Sequence, residues 1–177
     1  RRPDTSEVSL AKWQMAWGAF LAECDEITVF SQSSRDHILA SYPGLAARII
    51  YRPHTAVTRL GRLSMSGLNG GLNGGQGGTL AVLGNLNLQK GAGVLCALAE
   101  RLAAQHMGPR LVLIGNTDTA YSRPPSLRLH GSYRREDIAR LAEYYGVTAW
   151  LVPSIWPETF SFVTHEMLAT GLPVFGF

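Results

Sequence analysis

Cysteine is nearly absent from this sequence: its 177 residues hold only Cys24 and Cys96. Both fall on predicted helices and neither has metal-ligand spacing, which excludes a disulfide framework or a zinc scaffold. They read as reduced, half-buried thiols of a cytosolic protein. Long apolar runs are missing too, since none approaches the ~20 residues that cross a bilayer. The opening RRPDTSEVSL moves straight into mixed helical sequence, without the apolar centre of a secretory signal. Charge of one sign is also scarce, with 16 basic residues against 13 acidic ones and a net charge of +3. The basic residues, among them Arg1, Arg2, Arg48, Arg52, Arg134 and Arg135, are scattered and make no stripe interleaved with aromatics. That argues against a nucleic-acid partner. It leaves room for a local basic site that takes a phosphorylated small molecule.

What is present is ordinary apolar content, 46%, enough for one domain with a real core or one and a fraction. The first block runs to residue 58. Glu7 to Ala22 places Trp13, Trp17, Phe20 and Leu21 at helical spacing, predicting a helix with one broad apolar face. EITVFS, from Glu26 to Ser31, predicts a strand. SSRDHILASYPG predicts a short helix with Ser33 or Ser34 as its cap and Pro43-Gly44 as its end. RIIYRPH, from Arg48 to His54, predicts a second strand. Two strands are too few to close a core, so this block reads as the tail of an α/β layer. Residues 59–79 follow as a flexible linker. Its centre, GLNGGLNGGQGG, has seven glycines in the twelve residues from Gly67 to Gly78. Such a stretch does not pack, and it reaches roughly 5–6 Å × √n.

From residue 80 to 177 short apolar strands are mostly separated by amphipathic helices. TLAVLG, RLVLIG, SLRLHGS, TAWLVPS and PVFGF are the strands. KGAGVLCALAERLAAQHMG is a helix with Val94, Leu95, Leu98 and Leu102 on one face. RREDIARLAEYYG is a helix ended by Gly146, and SFVTHEMLATG one stopped by Gly171 and Pro173. The pattern predicts an α/β, Rossmann-like parallel sheet with helices on both faces. PVFGF has no helix after it to cover it, so the expectation is a fragment, cut at both ends.

In open α/β sheets, ligands bind beyond the carboxyl ends of the strands. Here those ends carry Gly84-Asn85, Gly115-Asn116, Gly131-Ser132-Tyr133 and Ser154 through Glu158. GNLNLQKGAG, Gly84 to Gly93, leads from strand to helix, but its glycines fit neither a dinucleotide fingerprint nor a Walker A loop. Lys90 sits at the predicted helix start, where the dipole disfavours a cation. It makes sense there if an anion binds between the ammonium and the helix N–H groups; a solvated loop lysine is the plain alternative. Glu158 and Glu166 lie around the loop of PSIWPETFSFVTHEM. On one regular helix they would point ~80° apart, at ~100° per residue. Glu158 reads better as a loop residue and Glu166 as part of the helix after it, so the two would reach different parts of one ligand. The plain alternative is a helix start whose acids gain ~0.3–1 kcal/mol from the dipole.

LGNLNLQKG, LVLIG, LHGSY and PSIWPETFSFVTHEMLATGLPV together resemble the donor-binding domain of retaining GT-B glycosyltransferases, family 4 in particular. That family has G-R-x-x-x-x-K-G after the first strand and E-x7-E near the fifth helix. TVFSQSSRDHILASYPGLAARIIYRPH is similar to the end of its N-terminal, acceptor-side domain, so the resemblance runs from about Cys24 to Phe177. It implies a GT-B fold and transfer of a hexose from a nucleotide-sugar donor, with retention and without an obligatory metal or other cofactor. The acceptor, whether glycan, lipid or protein, is not specified, and peripheral membrane association is neither required nor forbidden. By the same resemblance Lys90 binds the donor diphosphate, Glu166 holds the ribose hydroxyls and Glu158 lies at the transferred sugar. Gly84 and Asn85 belong to the phosphate loop. Gly131, Ser132 and Tyr133 lie beside the nucleobase, and the backbone of Phe160, Ser161, Phe162 and Val163 contacts sugar and phosphate.

Two positions depart from the pattern. Asn85 stands where the family has arginine, five residues before the lysine, and Ser161 replaces a common glycine. The first removes one diphosphate cation and gives the competing reading its support: a degenerate GT-B domain acting as a nucleotide-sugar binder or scaffold. A sugar-nucleotide 2-epimerase is a weaker third. Residues 1–177 alone are expected to be catalytically inert.

Overall fold

The computed structural model describes residues 7–55, 60, 63, 78–105, 108–118, 120–156, 158 and 160–177. The chain forms two compact units, Arg1–Thr55 and Ala56–Phe177.

The first unit contains α1 (Glu7–Ala22), β1 (Ile27–Val29), α2 (Gln32–Ser41), a 3-10 helix (Pro43–Arg48) and β2 (Ile49–Tyr51). β1 and β2 pair in parallel, from Ile27 opposite Ile49 to Val29 opposite Tyr51. The cap of α2 is Ser31, not Ser33 or Ser34: its hydroxyl accepts from the Ser34 N–H at 3.1 Å. A capping oxygen reaches the N–H two or three residues ahead, so a run of serines is resolved by where the strand releases the chain. Pro43 does not simply stop the helix, because it opens the 3-10 turn that leads into β2. The aromatic face of α1 forms as a ladder, with Trp13 and Trp17 centroids 5.8 Å apart and Trp17 and Phe20 5.6 Å apart. It is not buried, however; Trp13 and Phe20 are 57% and 60% exposed.

The second unit is built on β3 (Thr79–Leu83), α3 (Ala92–Gln105), β4 (Arg110–Ile114), β5 (Leu127–Leu129), α4 (Ile138–Tyr145), β6 (Val147–Val152), α5 (Phe162–Ala169) and β7 (Val174–Gly176). The five strands form one sheet in the order β5-β4-β3-β6-β7, and every pair is parallel. Alternation along the strands divides the core in two. Val82, Leu111, Leu113 and Leu127 pack against Ala92, Leu95 and Ala99 of α3. Ala81, Leu83, Val112 and Ile114 face the opposite way, with Ile138, Leu141 and Ala142 of α4 and Met167 of α5. Helices therefore cover both faces, as the strand–helix alternation requires.

Most of the segment read as linker lies outside the described residues, but its ends correct that reading. Leu60 is buried in the second unit's core and Leu63 packs against it. The Leu63 N–H also donates to the Thr170 carbonyl at 3.0 Å. Thr79 already belongs to β3. These side chains are drawn in by the apolar area they bury, which the neighbouring glycines cannot supply.

Trp150 of β6 is fully buried, and its indole N–H donates to the Thr170 hydroxyl at 2.9 Å. Thr170 in turn donates to the Met167 carbonyl at 2.6 Å, closing α5 against the sheet. Thr170→Val keeps the shape and leaves the indole N–H without its partner. It is expected to cost ~1–3 kcal/mol, read from urea unfolding; a change below about 0.5 kcal/mol would show that the bond adds nothing.

Candidate active site

The site is built at the point where the strand order reverses. β3 continues to β4 on one side, while β6 lies on its other side. α3 and the pair α4 and α5 thus depart to opposite faces, opening a crevice beyond the carboxyl ends of β3 and β6. Its walls include Gly84, Asn85, Lys90, Glu158, Ser161 and Val163.

The phosphate-loop candidate is fixed by local hydrogen bonds. The Asn87 side chain accepts from the Lys90 N–H at 2.9 Å, and the Gly91 N–H donates to the Leu88 carbonyl at 3.1 Å. The turn delays the helix, so Lys90 lies two residues before α3 starts rather than at its first position. The turn is tied to the loop after β6 by the Ile155 N–H, which donates to the Gln89 carbonyl at 3.0 Å. Across that tie Lys90 Nζ sits 3.9 Å from Glu158 Oε1, with their side chains 48% and 24% exposed. Lys90 is one of only two lysines in the sequence, the other being Lys12. In an arginine-rich chain, that choice of a compact point charge was a usable signal.

Glu158 lies in the loop and Glu166 in α5, four residues after Phe162. Ser161 caps α5, accepting from the Thr164 N–H at 3.3 Å and the Thr164 hydroxyl at 2.8 Å. Ser161, Val163 and Thr164 border the crevice, so the positive end of the helix lies at it.

A second cavity of about 340 Å³ adjoins the first, lined by Asn85, Asn116, Ser132, Tyr133, Arg135 and Glu166. Asn85 borders both. Its side-chain oxygen accepts from the Asn116 N–H at 3.2 Å and the Asn116 amide at 3.3 Å. The same amide reaches the Ser132 hydroxyl at 3.3 Å, so one chain of bonds joins the loops after β3, β4 and β5. Glu166, 13% exposed, pairs with Arg135 Nε at 3.3 Å. Burial pushes its carboxyl above the usual range, and the Arg135 charge only partly counters this. Burial, and then the Glu166 charge, also raise the Tyr133 phenol.

Of the residues singled out from sequence, Gly131, Phe160 and Phe162 do not line either cavity. The Gly131 N–H donates to the Gly115 carbonyl at 3.2 Å and shapes its loop. Phe160 stacks on His165 with centroids 4.5 Å apart and meets Phe162 edge-on at 4.8 Å. Sequence reasoning gave Asn116 a place on this edge but no role, and it counted Arg135 only among scattered basic residues.

No protein-family model matches the chain, and no curated protein sequence matches it. Solved structures do. Sucrose-phosphate synthase from Thermosynechococcus elongatus aligns with 98% of this chain and 46% of its own, at 20% identity and a TM-score of 0.64. The pneumococcal O-GlcNAc transferase GtfA, solved in complex with UDP and GlcNAc, aligns with 94% of this chain and 32% of its own, at 15% identity and a TM-score of 0.61. The fold is α/β of the GT-B type, as in both structures. This chain spans less than half the length of either structure. On this GT-B fold the crevice and its adjoining cavity occupy the carboxyl edge of the second unit's sheet.

Proposed function

We propose that the second unit binds the nucleotide-sugar donor of a family 4-like retaining glycosyltransferase that transfers a hexose in glycan or polysaccharide assembly in the cytoplasm. The observation that carries this reading is the continuity at Asn85. It joins a crevice holding Lys90 and Glu158 to a cavity holding Glu166. A nucleoside diphosphate sugar has the matching order. Its sugar would lie by Glu158, its diphosphate by Lys90, its ribose by Glu166 and its base towards Ser132 and Tyr133. A carboxylate suits paired ribose hydroxyls as an acceptor. A fixed ammonium near a helix N-terminus suits a diphosphate leaving group, and neutralises it without an obligatory metal. Presence of the lysine and both carboxylates favours an enzyme over a degenerate scaffold. Among the described residues no helix is long and apolar enough to cross a membrane.

Thermal shift with the UDP, GDP and ADP series of nucleotides and sugars tests the reading, because a ligand that binds only the folded state raises its melting temperature. One base series is expected to raise it, and Glu166→Gln to abolish the rise. Absence of any rise across the panel would overturn the proposal. The same variant has a second expected effect. Glu166's folded pKa lies above its unfolded one, so the native state binds the extra proton between those values, and stability falls as pH rises through that window. The unliganded Glu166→Gln chain is therefore expected to melt higher than the parent at pH 7. That advantage should vanish below the ordinary carboxylate range. A parent more stable than the variant at pH 7 would show that the Arg135 pair outweighs burial.

A further inference from the structure

We infer that Arg135 supplies a second phosphate-binding cation of the donor site, beside Lys90. This rests on the nucleotide-sugar reading above. Asn85 is neutral, and its oxygen is committed to Asn116 at 3.2 and 3.3 Å. Position 85 has become a tie between loops. Lys90 is then the cation of the crevice, and it already faces Glu158 at 3.9 Å. The cavity that shares Asn85 has a cation of its own, Arg135.

The acids next to Arg135 in sequence do not neutralise it. Glu136 faces Arg134 at 4.0 Å and Asp137 faces Arg140 at 2.9 Å. Arg135 meets Glu166 through Nε at 3.3 Å while its side chain stays 54% exposed. A guanidinium held at Nε keeps its two terminal amino groups for another acceptor, and that planar fork suits phosphate oxygens. A nucleoside diphosphate held by its ribose at Glu166 runs past Asn85 to Lys90. Its phosphate nearer the ribose then comes to Arg135, and the farther one to Lys90. Arg135 has a second effect in this position, because its charge opposes the burial that would protonate Glu166.

Calorimetry with nucleoside, monophosphate and diphosphate of the base series that binds best separates the roles. Arg135→Gln is expected to weaken monophosphate and diphosphate binding by ~10-fold or more, the scale of a hydrogen bond to a charged group, with the nucleoside changed by less than about 3-fold. An equal loss for nucleoside and nucleotides would make Arg135 a positioning residue for Glu166 alone. Unchanged nucleotide binding would make it a solvated side chain; either result overturns the inference. A wild-type chain that binds no nucleotide at all would instead overturn the function reading on which it rests.

Discussion

Gly91→Ala is expected to destabilise the second unit by more than ~3 kcal/mol and to remove the proposed nucleotide binding even where the chain still folds. Gly91 has φ of +80°, in the left-handed region that alanine enters at a cost of ~1–2 kcal/mol. Steric overlap costs more than this backbone strain. A Cβ at this position would lie 1.9 Å from the Pro153 carbonyl oxygen and 2.5 Å from its carbon. Both are backbone atoms at the end of β6, so no rotamer change clears them. The turn before α3 must lift away from β6, and the Ile155 to Gln89 bond that joins the two loops lies in its path. Lys90 and Glu158 then separate, because that bond and the Ser154 hydroxyl, which donates to the same Gln89 carbonyl at 3.4 Å, join their loops. Gly44→Ala is the control: nothing lies within 4 Å of its added Cβ, and a change within about 0.5 kcal/mol is expected. Urea unfolding of both variants measures the contrast. A Gly91→Ala chain within about 1 kcal/mol of the parent would mean that the loops are not held as tightly as their geometry implies.

The parts of this architecture that depend on local periodicity were legible in the sequence, and the parts that depend on register were not. Short apolar strands between helices dictated a parallel sheet covered on both sides, and Gly146 marked the end of α4. The pairing of Asn85 with Asn116 and Ser132 joins residues far apart in sequence. It exists because β3, β4 and β5 lie side by side in register, which no local pattern records. Arg135 was hidden for a different reason. It stands in RRED beside an equally basic Arg134. Which of the two turns towards Glu166 is decided by the 3-10 turn at Arg135–Asp137. The aromatic face of α1 illustrates the opposite limit: spacing placed Trp13, Trp17 and Phe20 together but carried no information on what covers them. Leu60 and Leu63 were masked by composition, because the glycines after them dominated the reading of that segment.

If the intact protein is the transferase proposed above, Lys90→Ala is expected to lower its turnover ~10²–10³-fold, the scale seen when one preorganised stabiliser of developing charge is removed. It should leave folding stability within about 1 kcal/mol, because a partly solvated ion pair contributes little. The two effects separate because Lys90 is half-exposed, 3.9 Å from Glu158. In the proposed donor arrangement, charge would grow on the leaving oxygen as the bond from sugar to diphosphate breaks, and the Lys90 ammonium would meet that charge. In the unliganded chain Glu158 lies 3.9 Å from the lysine, and a diphosphate bound as proposed would be its stronger partner. On the same proposal Glu158→Ala is expected to lower turnover as well, through the sugar assigned to it and through a Lys90 left without its 3.9 Å partner. Lys90→Arg is not expected to rescue the reaction fully, since a planar fork does not place its charge where a point charge sat. Full activity in both alanine variants would remove this pair from the site. A loss of stability matching the loss of turnover would make Lys90 a structural residue. The predicted split between large kinetic and small thermodynamic effects follows from an ion pair that is too wet to hold the fold together and that the proposed donor arrangement sets beside the leaving diphosphate.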